Sequence, residues 1–320
     1  MHLSRSLISP AIIALTFTFA GSLALAQAYP SAKPVTLISP WAAGGPTDIA
    51  LRALAEATSK PLGQRVLIET KPGASGTIGA TTAATARPDG YLLTQLPLGV
   101  FRLPFMIRTT FDPMKDLTWI SNIAGYEFAT IVRGDSPWKT WDDLVAHARA
   151  NPGKLFYGST GPGTTPSITM EEIAARLGIK WDAVPFKGAA DSLTATRAGQ
   201  VHMYASAPPW AMVKNGDLRP LIMWGPTRSP KAPDVPTLKE RYGMVSNAPW
   251  GVGGPPGMDA KVVKMLNDAF RKAGEDPAFL KTLDAINMEP YFMATEDYNK
   301  WARDTAIEER KTAERLGLKP

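Results

Sequence analysis

Cysteine is absent from the 320-residue chain. That excludes disulfides, thiol nucleophiles, iron–sulfur ligation and lipid attachment through an N-terminal cysteine. Histidine is scarce, with only His2, His147 and His202, and none has a nearby His or Cys to complete a zinc set, so no metal is expected. After the first 28 residues no apolar run is long enough to cross a bilayer. Dense basic blocks with interleaved aromatics are missing too. The 35 Lys and Arg are set against 29 Asp and Glu, for a formal charge of +6, and the signs alternate through Lys261–Asp276 and Arg303–Arg315. Nucleic acid is therefore not an expected partner; the balance suits either a mild field that draws in anions or a plain soluble surface.

Catalytic signatures are missing as well. There is no nucleoside-triphosphate loop and no Gly-x-Ser-x-Gly elbow. Gly161-Pro162-Gly163-Thr164-Thr165-Pro166 has Pro where a dinucleotide fingerprint needs its third Gly. No cofactor is expected, and no base is placed by sequence beside a Ser or Thr nucleophile. The chain reads as a non-enzyme, with an exported hydrolase as the rival reading.

What is present begins with a secretory leader over residues 1–28. Arg5 opens it, an apolar stretch runs from Leu7 to Ala26, and small residues permit cleavage near Ala26 or Ala28. The mature chain of about 290 residues is expected to be periplasmic and long enough for two domains.

Strand, glycine-rich loop and helix start then recur. Val35–Ser39 reads as a buried strand, followed by Pro40-Trp41-Ala42-Ala43-Gly44-Gly45-Pro46-Thr47-Asp48. Gly45 fits an N-cap and Pro46 the first helical position, with Ile49, Ala50, Ala53, Leu54 and Ala57 on one face. Lys60-Pro61-Leu62-Gly63 closes that helix. Val66–Ile68 is a second strand, followed by Lys71-Pro72-Gly73-Ala74-Ser75-Gly76-Thr77-Ile78-Gly79, a small-residue helix over 77–86 and a third strand at Tyr91–Thr94. This β-α-β-α-β order predicts a parallel sheet with right-handed crossovers. Beyond residue 130, Thr140 and Asp143 form a capping-box-like helix start, and a strand at Leu155–Tyr157 leads into another glycine loop and helix at 158–166. Three helices are predicted near Asp259–Ala273, Pro277–Ile286 and Thr295–Leu316, the last with Trp301, Thr305 and Glu308 on one partly buried face. Lobe I is expected from 29–127 plus 250–320 and lobe II from 128–249, joined by two crossing strands that act as a hinge.

A loop that follows a parallel strand sits outside the strand's C-terminal end, and a helix start there offers free N–H groups to an anion. Trp41, Ala42, Ala43, Gly44, Thr47 and Asp48 are candidates from the first loop, and Ser159, Thr160, Gly163, Thr164 and Thr165 from its counterpart. Lys187 lies in a loop and supplies either a charge or only a solvated side chain. Phe101 and Arg102 are expected in a loop after the third strand, where Arg102 either pairs with a distant carboxylate or stays exposed. Ser206 and Trp210 end a later strand, with Trp210 either walling the cleft or packing at the hinge. An ordinary tight turn is the alternative reading of each glycine loop.

Across nearly its whole mature length the chain resembles the extracytoplasmic solute-binding receptors of tripartite tricarboxylate transporters, the Bordetella uptake gene family. The resemblance is carried by the two glycine-rich stretches at 40–48 and 71–76, Pro88-Asp89-Gly90-Tyr91, Asn151-Pro152-Gly153-Lys154, Tyr157-Gly158-Ser159, Gly161–Thr165, Pro185-Phe186-Lys187-Gly188, Arg228-Ser229-Pro230 and Pro233–Thr237. It implies a type 2 periplasmic binding protein fold, two α/β lobes closing on a ligand in the cleft between them. It also implies carboxylate recognition by the first loop and the 159–165 loop, through backbone amides and bridging water. Pro46 replaces a usual Gly, Trp41 a common Phe, and Leu98–Arg102 a small hydroxyl-rich segment. The expected partners are a small organic acid, aromatic if Trp41, Phe101 and Trp210 wall the cleft, and the membrane subunits of a transporter. A sensor kinase is a further candidate partner, and the receptor is expected to be a monomer.

Overall fold

The computed structural model describes residues 29–318, so the predicted leader lies outside the described residues. The chain opens with β1 (Val35–Ser39), α1 (Pro46–Leu62), β2 (Val66–Thr70), α2 (Ile78–Ala84), β3 (Leu92–Leu96), α3 (Gly99–Arg102) and β4 (Thr118–Glu127). It continues with β5 (Ala129–Arg133), α4 (Trp141–Ala150), β6 (Phe156–Ser159), α5 (Thr165–Leu177), β7 (Asp182–Pro185) and α6 (Ala189–Arg197). Next come β8 (Met203–Ser206), α7 (Trp210–Lys214), β9 (Leu218–Met223) and α8 (Leu238–Tyr242). It ends with β10 (Asn247–Gly254), α9 (Ala260–Gly274), α10 (Pro277–Ala285), β11 (Met288–Met293) and α11 (Thr295–Arg315).

These strands form two sheets. The first runs β11-β4-β10-β3-β1-β2 and the second β7-β6-β8-β5-β9. The βα repeats give each sheet a parallel core, β2-β1-β3 in one and β7-β6-β8 in the other, and the remaining strands pair antiparallel. Only Phe128 separates β4 in the first sheet from β5 in the second, and the chain returns through β10. The two passages are tied together: Trp224 N–H donates to Phe128 O, and Ser246 N–H donates to Trp224 O, both at 2.9 Å. Trp224 is fully buried there, its indole bonded to Thr130 Oγ1 at 3.1 Å.

Local sequence explains the helix that matters most for the site. Gly45 caps α1 in an extended conformation, Pro46 takes its first position, and Gly63, at φ 74°, closes it with bonds to Ser59 and Lys60 carbonyls. Pro61 is accommodated inside the last turn. The buried stripe is Ala50, Leu51, Leu54, Ala55, Thr58 and Leu62, and it shares one core with Leu266 and Phe270 of α9 and Phe279 and Leu283 of α10. Each such Leu or Phe contributes roughly 1.5–3 kcal/mol by burial. Ile49, expected on this face, is instead 40% exposed beside the interlobe groove. Three further expectations change. The helix predicted over 77–86 spans only Ile78–Ala84, and Phe101 and Arg102 lie in a short helix rather than a loop. In α11 the buried stripe is Tyr298, Ala302, Glu309 and Ala313, one step around from the predicted face.

Candidate functional site

The loops after β1, β6 and β7 open at the carboxyl ends of parallel strands and lead into α1, α5 and α6. All three helix starts border one cavity of about 60 Å³ between the lobes, on a scale where a single water needs about 10–15 Å³. Trp41, Gly45, Pro46, Thr47, Ser75, Pro97, Leu98 and Gly99 line it from the first lobe. Thr160, Thr164, Thr165, Pro166, Ala189 and Ser206 line it from the second, and Tyr126, Phe128 and Ala248 from the crossing passages. None of these residues carries a charge.

The donors are therefore main-chain groups. The first intrahelical bonds are Ile49 N–H to Gly45 O in α1, Ile168 N–H to Thr164 O in α5 and Ser192 N–H to Gly188 O in α6. Proline occupies the first or second position of α1 and α5 and has no N–H. Thr47 and Asp48, Thr165 and Ser167, and Ala189 to Asp191 thus keep N–H groups with no acceptor in their own helix. No side chain caps any of the three starts. Four other helices are closed by a side chain, Thr140 on α4, Thr237 on α8, Asp259 on α9 and Asp276 on α10, whereas α2, α7 and α11 start uncapped away from this cavity and the single turn α3 starts uncapped beside it. Each open start carries about half a positive charge from the aligned peptide dipoles.

Side chains shape the space around these donors. Thr47 Oγ1 and the Tyr126 hydroxyl are 2.7 Å apart. Burial pushes the Tyr126 phenol up from its ordinary pKa, and the Thr47 bond only partly offsets this, so it stays protonated. The Tyr126 ring stacks on Phe128 at 5.2 Å. Trp41 closes the cavity on the side of a second crevice of about 370 Å³, which it shares with Ser75 and Thr160. Its ring is seated over Gly76, where a Cβ would lie 2.7 Å from two ring carbons.

The predicted residues divide sharply. Trp41, Thr47, Thr160, Thr164, Thr165 and Ser206 come together around the cavity. The Ala42 N–H instead donates across the cleft to Lys187 O at 3.4 Å, and Ala43 and Gly44 are exposed. The Asp48 side chain anchors its own loop, its Oδ2 accepting from Gly44 N–H and from Arg52 Nε, both at 3.0 Å, so only the Asp48 N–H is left as a donor. Ser159 is likewise internal, because it pairs with Ser167, and the Gly161 carbonyl accepts from Ser167 and Thr164 hydroxyls at 2.8 Å. Gly163 packs against Leu103 and Met106 outside the cavity.

Phe101 is a core residue, 1% exposed and stacked on Trp119 at 4.7 Å. Arg102 forks onto Glu309 at 2.5 and 2.8 Å and donates to Gly163 O at 2.9 Å, so it joins α11 to the second lobe's loop. Lys187 is exposed in the outer crevice. Trp210 bonds Asn287 Oδ1 at 2.8 Å and lines a separate groove.

Ser75, Pro97, Tyr126, Phe128, Ala189 and Ala248 line the cavity without having been singled out. Ser75 and Ala189 had a local signal, since Ser75 lies in the second glycine-rich loop and Gly188 precedes a helix start. Among the described residues, no group of His, Asp or Glu is placed to hold a metal ion.

Two α/β lobes with a twin-stranded passage and a cavity between opposed helix starts define a cleft-type solute-binding protein. The chain belongs to the tripartite tricarboxylate transporter receptor family, whose profile, described as "Tripartite tricarboxylate transporter family receptor", matches residues 50–318. It is 43% identical to the UPF0065 protein in the gbd 5' region of Cupriavidus necator over 318 residues, 99% of this chain and 97% of that one. It is similar to the solved periplasmic binding protein BugD, with a TM-score of 0.86 at 25% identity, covering 90% of this chain and 99% of that one. An R. palustris protein solved with adipate matches with a TM-score of 0.85 at 28% identity, covering 91% and 99%.

Proposed function

We propose that this protein captures a small carboxylate in the periplasm and delivers it to the membrane subunits of a tripartite tricarboxylate-type transporter. The observation that carries this reading is the convergence of three uncapped helix starts on one cavity without a charged side chain. Main-chain donors of that kind suit a carboxylate. The adipate seen in the R. palustris relative supports the same chemistry. Because α1 belongs to one lobe and α5 and α6 to the other, an anion between them favours the closed arrangement over the open one. Moving a 1:99 balance to 99:1 takes about 5.5 kcal/mol of differential binding, which donors from a single lobe do not provide. Trp41, Tyr126 and Phe128 supply an aromatic wall, so an aromatic acid is the preferred ligand, although Phe101 and Trp210 contribute nothing to that wall. The leader, cleaved near Ala26 or Ala28, directs export.

The test is a mass spectrum of the acid that co-purifies with the exported protein, with titrations of benzoate-type acids and aliphatic dicarboxylates followed by Trp fluorescence. A response to carboxylates and not to neutral analogues is expected. A response confined to aliphatic acids removes the aromatic preference, and no response to any carboxylate removes the reading.

A further inference from the structure

We infer that Trp41 is the stop that limits how long an acid this receptor takes. The inference rests on the carboxylate-receptor reading and adds a size limit to it. Trp41, Ser75 and Thr160 line both the interlobe cavity and the outer crevice, so the two spaces share that wall. They differ in size, with about 60 Å³ in the cavity and about 370 Å³ in the crevice. At about 10–15 Å³ for each water, the cavity holds only about four to six. An acid that outgrows it has free volume directly behind this wall.

The indole is by far the largest side chain in the shared wall. It reaches from the first glycine-rich loop to the second, where two of its ring carbons lie over Gly76 and would be 2.7 Å from a Cβ there. Gly76 holds φ +85° and, having no side chain, leaves room for the ring. Pro97 packs on the same spot, at 3.3 Å, so the ring is supported and does not swing freely toward that side. From the second lobe, Gly161 comes against Ser75, where a Cβ would lie 2.5 Å from the Ser75 Oγ. Two loops of the first lobe and one of the second thus meet at this wall. A wall that cannot yield rejects an added methylene by about tenfold or more.

A groove of about 350 Å³ also adjoins the cavity, and it shares Gly45 and Pro46 with it. Those residues are the main-chain start of α1. A Cβ on Gly45 would lie 3.8 Å from Ala190 N and 3.9 Å from Ala189 Cβ, so the first loop packs directly on the start of α6. That partition is set by main chain and persists whatever the side chains are. The partition at Trp41 is a side chain and is open to exchange.

Titration calorimetry of the purified exported protein with two series of acids tests this. One series is the straight-chain di-acids from succinate to sebacate, and the other the phenyl acids from benzoate to phenylbutyrate. In a series that binds, affinity for the unaltered protein is expected to fall about tenfold or more within about two added methylenes. Trp41→Ala is expected to move that fall to longer acids and to raise the ratio of long-acid to short-acid affinity about tenfold, and Trp41→Phe to move it less. The ratio is the readout because a merely structural role for the indole weakens long and short acids alike. No fall along either series in the unaltered protein, or a parallel loss at every length in Trp41→Ala, overturns the inference and leaves the carboxylate reading standing. Binding of no acid of either series by any of the three proteins overturns the underlying reading and this inference with it. If Trp41→Ala does not fold, the unaltered protein and Trp41→Phe decide the question.

Discussion

Arg102 and Glu309 offer the sharpest test of how the structure is held. They are 207 residues apart in sequence, only 4% and 8% exposed, and joined by a two-point fork at 2.5 and 2.8 Å. Changing Arg102→Met leaves the Glu309 carboxylate buried without its partner, and Glu309→Leu leaves the guanidinium. Breaking a buried pair from one side costs about 3–5 kcal/mol. For a chain of this size each kcal/mol lowers the melting temperature by about 2–4 °C, so each single variant should melt about 6–20 °C lower. The double variant removes both charges and replaces them with carbon, which is often close to neutral. It should therefore melt above either single variant, with a coupling energy of at least ~2 kcal/mol in the cycle. Scanning calorimetry of the four ligand-free proteins at one pH measures this directly. If the double loss equals the sum of the single losses, the fork is not an energetic unit and the reasoning fails. The Arg102 bond to Gly163 O crosses between the lobes, so the Arg102→Met protein should also open more readily, seen as a larger radius of gyration in solution scattering.

Further outcomes can be checked separately. Gly76→Val puts a Cβ 2.7 Å from the Trp41 ring at a residue with φ of +85°, so ligand affinity should fall about tenfold, or 1.4 kcal/mol, with a shifted Trp emission; an unchanged spectrum would show that Trp41 does not rest there. Thr47→Val and Tyr126→Phe each break the 2.7 Å hydroxyl pair and should each lower stability by about 1–3 kcal/mol; in a melting-curve cycle the double variant should lose little more than one of them. His202 is held below its ordinary pKa, first by burial and then by His147, and its Nδ1 must be neutral to accept the Phe156 N–H at 3.0 Å. Its contribution to stability is full above the unfolded histidine value of about 6.5 and is lost as pH falls through the lower folded value. Urea midpoints should therefore drop between pH 7 and 5, less so in His202→Gln. Lys187→Ala should leave ligand affinity within about twofold in a calorimetric titration, as for an exposed charge.

The parts of this molecule written in local chemistry were readable before any coordinates. Gly45 with Pro46, Thr140 with Asp143, and Gly178 at φ 61° closing α5 each fix a helix end through neighbouring residues alone. The anion-ready loops followed from the same logic. The walls of the cavity did not, because their role depends on chain passages far apart in sequence. Tyr126 and Phe128 look like any alternating strand residues until β4 leaves one sheet for the other. Phe101 and Arg102 misled for the converse reason: an aromatic and a cation after a strand resemble a ligand contact, yet Trp119 and Glu309 claim them from distant segments. Asp48 was ambiguous in kind, since an acid in a first helical turn serves its own loop as readily as a ligand.

The donors that the proposed function assigns to the anion are peptide groups that every amino acid possesses. No single side-chain replacement can delete them, short of a residue that distorts the three loops. The cavity walls are under no such restriction, and Leu98, Phe128 and Ser206 can be exchanged while the anchor persists. A receptor made this way can be retargeted to a new acid in small inherited steps, each leaving a working protein behind.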